Sequence, residues 1–127
     1  MGVVDSLAEY FDFEEHNTDA RTETIAGVTT FLAMAYIVVV NPIILSDAIM
    51  TDPPAGMNQG EVIQMLAVVT ILASVLAIMV MAFYAKRPFG LAPGMGLNAF
   101  FAYTVVIGLG VPWEVALAAV FVEGVLF

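Results

Sequence analysis

The stretch from Arg87 to Gly110 reads RPFGLAPGMGLNAFFAYTVVIGLG, and its two halves predict different backbone structures. Residues 89–96 place Pro93 and three glycines in an apolar run, a composition that a continuous helix resists. We therefore expect an extended backbone there, followed by a helix from Leu97. Non-helical backbone is tolerated at membrane depth only where it is buried in protein or lines a cavity, because unpaired polar groups in lipid are costly.

Three stretches of the chain contain no charged residue, namely Ile25 to Ser46, Val62 to Ala85 and Pro88 to Trp113. Each is long enough for a helix that crosses a bilayer, which takes about 20 residues. Of the 127 residues, 61% are apolar and only 12% are charged, whereas an ordinary soluble domain has about 25% charged residues. The sequence therefore predicts an all-α polytopic membrane protein whose third span is broken by a short extended segment.

The predicted organisation is an acidic cytoplasmic lead over residues 1–23 and a partial transmembrane domain over residues 24–127. We place the spans at 24–45, 62–85, 88–109 and 112–127, of which the last is incomplete. Asn41-Pro42 predicts that the first helix ends or kinks there, because proline lacks an N–H and restricts the residue before it.

The lead predicts a short amphipathic helix, because Val4, Leu7 and Phe11 follow the spacing of one helical face. Its acidic side chains would be repelled by anionic lipid, so packing against the protein's own cytoplasmic side is favoured over the membrane surface. The basic residues are Arg21, Lys86 and Arg87, which fall on one side if the chain crosses twice between them. By the positive-inside rule, the N-terminus is expected in the cytoplasm of a multi-pass protein.

Asn98 is the polar residue at the start of the predicted half-helix. A helix that begins partway across the bilayer directs its free N–H groups and positive dipole end at a polar substrate. The amide of Asn98 both donates and accepts hydrogen bonds, which suits the mixed edge of a planar heterocycle. Alternatively, Asn98 caps the half-helix while Gly94 and Gly96 permit close helix packing. The residues alone leave both interpretations open.

Three segments together resemble the nucleobase cation symporter superfamily that includes the xanthine/uracil permeases, and within it the azaguanine-resistance-like branch. These segments are TIAGVTTFLAMAYIVVVNP (24–42), APGMGLNAFFA (92–102) and WEVALAAVFVEGVLF (113–127). The resemblance covers residues 21–127. It implies about fourteen spans in two inverted repeats of seven, of which this chain supplies the first three to four. It also implies proton-coupled transport of adenine, guanine and hypoxanthine across the plasma membrane, without chemistry on the substrate.

The resemblance implies substrate contacts at two places in this chain. The start of the third-span half-helix corresponds to Asn98, Ala99 and Phe100, and Phe100 would stack on a purine ring or pack in the core. The middle of the first span corresponds to Thr30, Ala33 and Ile37, although a helical threonine often bonds its own backbone instead. The substrate-binding and proton-coupling acids of the family lie in its eighth and tenth spans.

Other site chemistry is not predicted. Glu123 lies within the fourth apolar segment, and we expect it to pair with another helix rather than to couple protons. The lone His16 in an acidic lead predicts no metal site, and no nucleophile triad or phosphate loop is present. With three basic residues, nucleic acid is not an expected partner. We expect no enzyme activity and no cofactor besides the coupling proton.

Two other classes of protein remain alternatives: a small membrane scaffold that binds a partner, and an anion carrier of the same architecture. APGMGLNAFFA favours the purine branch over the anion carrier. The fourth apolar segment stops at Phe127 after about 16 residues, which is short for a span and predicts a fragment of a longer protein. The expected partners are a purine base, the lipid bilayer and the remaining spans of the transporter. The oligomeric state stays open, with a homodimer as one arrangement.

Overall fold

A computed structural model of the chain describes residues 2–87 and 89–126, and within these ranges every regular element is a helix. The helices are α1 (Val3–Tyr10), α2 (Ala20–Met34), α3 (Ile37–Ile49), α4 (Gln59–Phe83), α5 (Met95–Ala99), a π-helix π1 (Phe100–Gly108), and α6 (Trp113–Leu126). The predicted outer limits of the third and fourth spans, at residues 88 and 127, lie outside the described residues. The predicted all-α architecture is confirmed.

Helices α2 and α3 form one almost continuous apolar rod. Asp19 begins the rod, because its side chain accepts from the Thr22 N–H at 3.3 Å. The Thr22 hydroxyl also bonds this carboxylate and, together with that N–H, lowers the pKa of Asp19 below its ordinary value. The rod is interrupted only at the Ala35–Tyr36 turn.

Of the two predictions for Asn41-Pro42, a helix end or a kink, the helix end is not observed, because α3 runs through Pro42 to Ile49. Proline removes one N–H and crowds the carbonyl four residues before it, so the disturbance falls on the preceding turn. There, Val38 N–H donates to Ala35 carbonyl at 3.2 Å and Val39 N–H donates to Tyr36 carbonyl at 3.1 Å, both three residues back. The helix therefore absorbs the proline by tightening the turn before it.

Helix α4 packs along α3 as an antiparallel partner after the loop of residues 50–58. Its first turn is closed by a reciprocal cap in which Asn58 Oδ1 accepts from Glu61 N–H at 3.1 Å. In return, Asn58 N–H donates to the Glu61 carboxylate at 2.9 Å. These bonds satisfy backbone donors that a helix start leaves free, and they fix where α4 begins.

The predicted break in the third span is present. No helix forms over the described part of residues 84–94, and Gly94 has extended dihedral angles of φ −73° and ψ 108° just before α5. The approach of this segment to α2 leaves no room for a side chain at position 90 unless Met34 and Thr30 shift. A Cβ there would lie 2.5 Å from the Met34 sulfur and 2.8 Å from Thr30 Cγ2.

Small side chains form the contact between α3, π1 and α6. Ala48, Ala102, Val106 and Ala116 are buried together, with Trp113 partly buried beside them. Small residues let helix backbones approach closely where lipid supplies no hydrophobic force between helices. The cluster holds the half-helix formed by α5 and π1 against α3.

The lead contacts the C-terminal end of α4, so it packs against the protein itself, while its cytoplasmic location stays a prediction. Tyr10 hydroxyl donates to the Phe83 carbonyl at 2.8 Å, and the Phe11 and Phe83 rings lie 6.0 Å apart. Lys86 Nζ lies 4.5 Å from the centre of the Tyr10 ring and 3.8 Å from Asp12 Oδ2. Leu7 stays exposed, and the side chain of Val4 lies outside the described residues. The Phe83 carbonyl at the C-terminal end of α4 thus gains a partner from α1.

Replacing Gly90 by alanine should destabilise the protein by about 1–3 kcal/mol, because the new methyl group would overlap Met34 and Thr30. Thermal unfolding of the purified protein in detergent measures the change. Gly27→Ala in α2 is the matched control, since a Cβ there meets nothing within 4 Å. Equal melting temperatures for the two variants would contradict the close approach of the extended segment.

Candidate functional site

Asn41 is the most deeply buried side chain of its size in the described structure, with only 2% of its surface exposed. It lies in α3 among apolar residues, where an unpaired amide would be costly. Its Nδ2 donates to the Thr70 hydroxyl of α4 at 2.9 Å. Thr70 is also buried, at 4% exposure. The amide therefore joins the two long helices through a polar bond inside an apolar contact.

Asn98 completes this polar cluster from the half-helix. Its Nδ2 donates to Asn41 Oδ1, so Thr70, Asn41 and Asn98 form one hydrogen-bonded chain across α4, α3 and α5. We call these three residues the amide cluster. No buried side-chain nitrogen or oxygen within residues 2–87 and 89–126 lacks a hydrogen-bond partner. The cluster thus provides hydrogen-bond partners for both groups of the buried Asn41 amide and for the buried Thr70 hydroxyl.

The structure decides against the capping role considered for Asn98. The N-cap of α5 is Gly94, with no side-chain hydrogen bond, and Asn98 lies in the first turn with its N–H bonded to the Gly94 carbonyl at 3.0 Å. Close packing at the two glycines is also not observed. A Cβ on Gly96 would meet nothing within 4 Å, and one on Gly94 would meet only Leu97 of the same segment, at 3.9 Å.

The remaining groups of Asn98 are available to a ligand. No described residue hydrogen-bonds its carbonyl oxygen, and its side chain is only half-buried. The space beside Gly96, where a Cβ would meet nothing within 4 Å, lies in the same turn of the helix. An amide that offers one acceptor and one remaining donor, in apolar surroundings, recognises a planar edge with complementary groups.

The other predicted site residues are spread over two regions. Beside Asn98, Ala99 is half-buried and Phe100 is 57% exposed. Thr30 and Ile37 line a cavity of 340 Å³ between α2, α4 and the extended segment, together with Thr70. Ala33 is exposed and, like Asn98, does not line that cavity in the described structure. The six residues are not gathered around one cavity, and their contact with substrate stays a prediction.

Sequence reasoning missed Asn41 and Thr70 as members of the site. Asn41 was considered only as the residue before a proline, and Thr70 was not singled out. Both are polar residues in the middle of charge-free apolar runs. A hydrogen-bonding side chain in the middle of an apolar run needs a partner, and this requirement is the signal that could have identified them.

A second polar contact lies nearer the 50–58 loop. Tyr103 hydroxyl donates to Asp47 Oδ2 at 2.8 Å, and Gln59 Nε2 donates to Asp47 Oδ1 at 3.4 Å. These bonds again link π1, α3 and α4. Glu123, in contrast, is exposed on α6, and the described residues offer it no hydrogen bond or ion pair. Its predicted pairing with another helix stays a prediction.

Length and composition make two helical segments suitable for crossing a membrane: Ala20–Ile49 with 30 residues and Gln59–Phe83 with 25 residues. Met95–Gly108 is a shorter apolar helix, as expected for a half-helix after an extended segment. Large apolar side chains on these helices are exposed, for example Leu76 at 67%. Such surfaces suit lipid or neighbouring spans.

A family model described as a permease family, Xan_ur_permease, matches residues 21–127. The chain belongs to this permease family. It is 50% identical over 125 residues to a protein of Methanocaldococcus jannaschii named as a permease, covering 98% of this chain and 26% of that protein. No solved structure matches the chain significantly. The resemblance inferred from the three segments is confirmed, and the chain is a membrane protein.

Two further relatives have names that include a substrate. The adenine permease AdeP of Escherichia coli is 47% identical over 115 residues, covering 91% of this chain and 23% of the relative. The guanine/hypoxanthine permease PbuG of Bacillus subtilis is 46% identical over 123 residues, covering 95% of this chain and 27% of the relative. The chain thus spans about a quarter of the length of these relatives.

A double-mutant cycle should detect the bond between Asn41 and Thr70. We expect Asn41→Ala and Thr70→Val to be coupled by about 0.6 kcal/mol, and by at most about 1.7 kcal/mol, the range found between membrane helices. Reversible unfolding in mixed micelles gives the four free energies of unfolding.

The control cycle pairs Asn41→Ala with Thr29→Val, whose hydroxyl bonds only the Ile25 carbonyl of its own helix, at 2.8 Å. That pair should be additive within about 0.5 kcal/mol. Additivity in both cycles would show that the bond between Asn41 and Thr70 contributes nothing to stability.

Proposed function

We propose that this chain forms part of a secondary active transporter that carries purine nucleobases across the plasma membrane, with a proton as the coupling ion. The observation that carries the proposal is the Asn98 amide, which is held by Asn41 at the start of the half-helix while its carbonyl oxygen stays free. The named relatives support the substrate class, since one is called an adenine permease and another a guanine/hypoxanthine permease.

The chemistry of a purine fits such a site. Its ring is flat and apolar on both faces, and its edge alternates hydrogen-bond donors and acceptors. The Asn98 amide can meet that edge with one acceptor and one donor. An exposed aromatic ring such as that of Phe100 can stack on a face of the base.

The first span supplies the second part of the proposed substrate path. Thr30 and Ile37 line the 340 Å³ cavity, and Thr70, one end of the amide cluster, also lines it. Ala33 is on the exposed surface of the same rod. We propose that these residues face the base during transport by alternating access, in which a core that carries the base moves past a gate.

Uptake of radiolabelled bases in transporter-deficient cells tests the function. The natural polypeptide that contains residues 1–127, expressed to its own stop codon, should take up adenine, guanine or hypoxanthine in preference to uracil. Asn98→Ala should lower that uptake at least about tenfold at equal amount in the membrane, because a buried polar contact to the base is lost. A protonophore should reduce uptake if the proton is the coupling ion.

The outcomes of this test separate the alternatives. Uptake of an inorganic anion in place of bases would favour the anion carrier. No uptake of any solute by the well-expressed polypeptide would favour the scaffold. Uptake that persists unchanged in Asn98→Ala would remove Asn98 from the substrate path while leaving the transport function in place.

We also propose that the N-terminus and the Lys86–Arg87 pair face the cytoplasm. Support comes from the placement of these groups at one end of the helices, where Thr18, Glu23, Lys86 and Arg87 line one cavity of 550 Å³. The three basic residues of the chain therefore belong to the same end, and the positive-inside rule assigns that end to the cytoplasm.

Single cysteines test this orientation, because the chain has no cysteine of its own. Ala55→Cys, in the exposed 50–58 loop, should react with a membrane-impermeant maleimide in intact cells. Glu15→Cys, in the exposed lead, should react only after permeabilisation. The unsubstituted protein gives the background, and the reverse labelling pattern would invert the proposed topology.

A further inference from the structure

In the structure, the hydrogen bonds of the amide cluster run in one direction, from Asn98 through Asn41 to Thr70. Asn98 Nδ2 donates to Asn41 Oδ1, and Asn41 Nδ2 donates to Thr70 Oγ1 at 2.9 Å. Both groups of the Asn41 amide are therefore used, and its side chain is 98% buried, as its 2% exposure shows. Asn41 itself has no group left for a ligand.

The direction of these hydrogen bonds determines which groups of the Asn98 amide remain free for a ligand. Because one N–H of Asn98 is directed at Asn41, its carbonyl oxygen must point away from Asn41, on the opposite branch of the planar amide. No described residue bonds that oxygen. With Asn41 in this orientation, a rotation of the Asn98 amide alone by half a turn would place two carbonyl oxygens against each other, which is unfavourable in apolar surroundings.

We propose that Asn41 and Thr70 are positioning residues that fix the orientation of the Asn98 amide and thereby set which purine the transporter prefers. This inference rests on the proposed function. It goes beyond that function because it assigns both residues a role that acts through the Asn98 amide. Thr70 holds the Asn41 amide with its N–H groups towards α4, and Asn41 in turn holds the carbonyl of Asn98 towards the ligand.

Adenine and hypoxanthine, which appear in the names of the relatives, differ in the order of hydrogen-bond donors and acceptors along the edge that such an amide would contact. Adenine carries a donor at its C6 amino group and an acceptor at N1, whereas hypoxanthine carries an acceptor at C6 and a donor at N1–H. The two edges are therefore reversed in polarity. An amide fixed in one orientation pairs well with one of these edges and meets like groups on the other. An amide that turns freely pairs with both.

Thr70→Val tests the proposal because it removes the hydroxyl and nearly conserves the volume of the side chain. The measured quantity is the ratio of the inhibition constants of unlabelled adenine and hypoxanthine against uptake of one labelled base. The wild-type ratio should differ clearly from one, and Thr70→Val should move it at least about fivefold towards one, because discrimination by one paired edge is lost. Thr70→Ser, which keeps the hydroxyl, should retain the wild-type ratio.

The controls separate positioning from a purely structural role. A structural defect lowers uptake of both bases equally and leaves their ratio unchanged. Thr29→Val, an identical substitution at a hydroxyl that bonds its own helix, should also keep the ratio. If Thr70→Val does not reach the membrane, Thr70→Ala removes the same hydroxyl without any added bulk in the buried site.

The outcomes also distinguish this inference from the proposed function. If the wild type takes up no base, the proposed function fails and the inference with it. If the wild type takes up bases but treats adenine and hypoxanthine alike, the inference fails and the function stands. A wild-type ratio that persists in a hydroxyl-free variant at position 70 overturns the positioning role in the same way.

Discussion

The buried Asn41 amide is the contact on which the arrangement of the site depends. Helices in an apolar environment gain little from burying apolar surface against each other, because lipid is an equally good partner. A polar side chain among them is different, since leaving it unpaired is costly. Asn41 bonds Thr70 of α4 and Asn98 of α5, so it specifies which faces of three helices meet. The small residues Ala48, Ala102 and Ala116 then allow the close approach that these bonds require.

The break before α5 follows from the same constraint. A helix that started at the membrane surface would pass Asn41 with all its backbone groups hydrogen-bonded. No backbone N–H group would then be free at that depth. The extended segment instead carries the chain past α2, with Gly90 against Met34 and Thr30, and lets the helix begin beside Asn41. Gly94 and Gly96 leave space at that start, and Asn98 is the first polar side chain behind it.

The half-helix continues in an unusual form. Residues Phe100–Gly108 are π-helical, and the N–H of Leu109 donates to the Thr104 carbonyl five residues back, at 2.9 Å. π-helical turns are rare and often occur at functional sites. Here they keep Ala102 and Val106 buried against α3 while Tyr103 bonds Asp47. Two polar contacts, one at Asn98 and one at Tyr103, therefore hold the same element to α3.

The sequence predicted the helical class, the number of apolar segments and the break in the third one, because charge distribution and proline and glycine content are local signals. The course of α3 was not predictable in this way. Pro42 favours a helix end locally. Packing against α4 and the bond from Asn41 to Thr70 nevertheless stabilise a helix that continues through Pro42. Asn98 was found because it stands at a helix start, whereas Asn41 and Thr70 acquire their role only from a contact between residues 29 positions apart.

The location of the cluster also bears on how a transporter can move without losing its site. Thr70, Asn41 and Asn98 all belong to this chain, so the orientation of the Asn98 amide is set by contacts among its own helices. A group of helices joined by buried polar bonds moves as one body more readily than a group joined by apolar contact alone, because separation would expose unpaired groups. Under the proposed function, we therefore expect α3, α4 and the half-helix to keep their mutual positions while the base crosses the membrane. Selectivity would then be fixed before and after the movement.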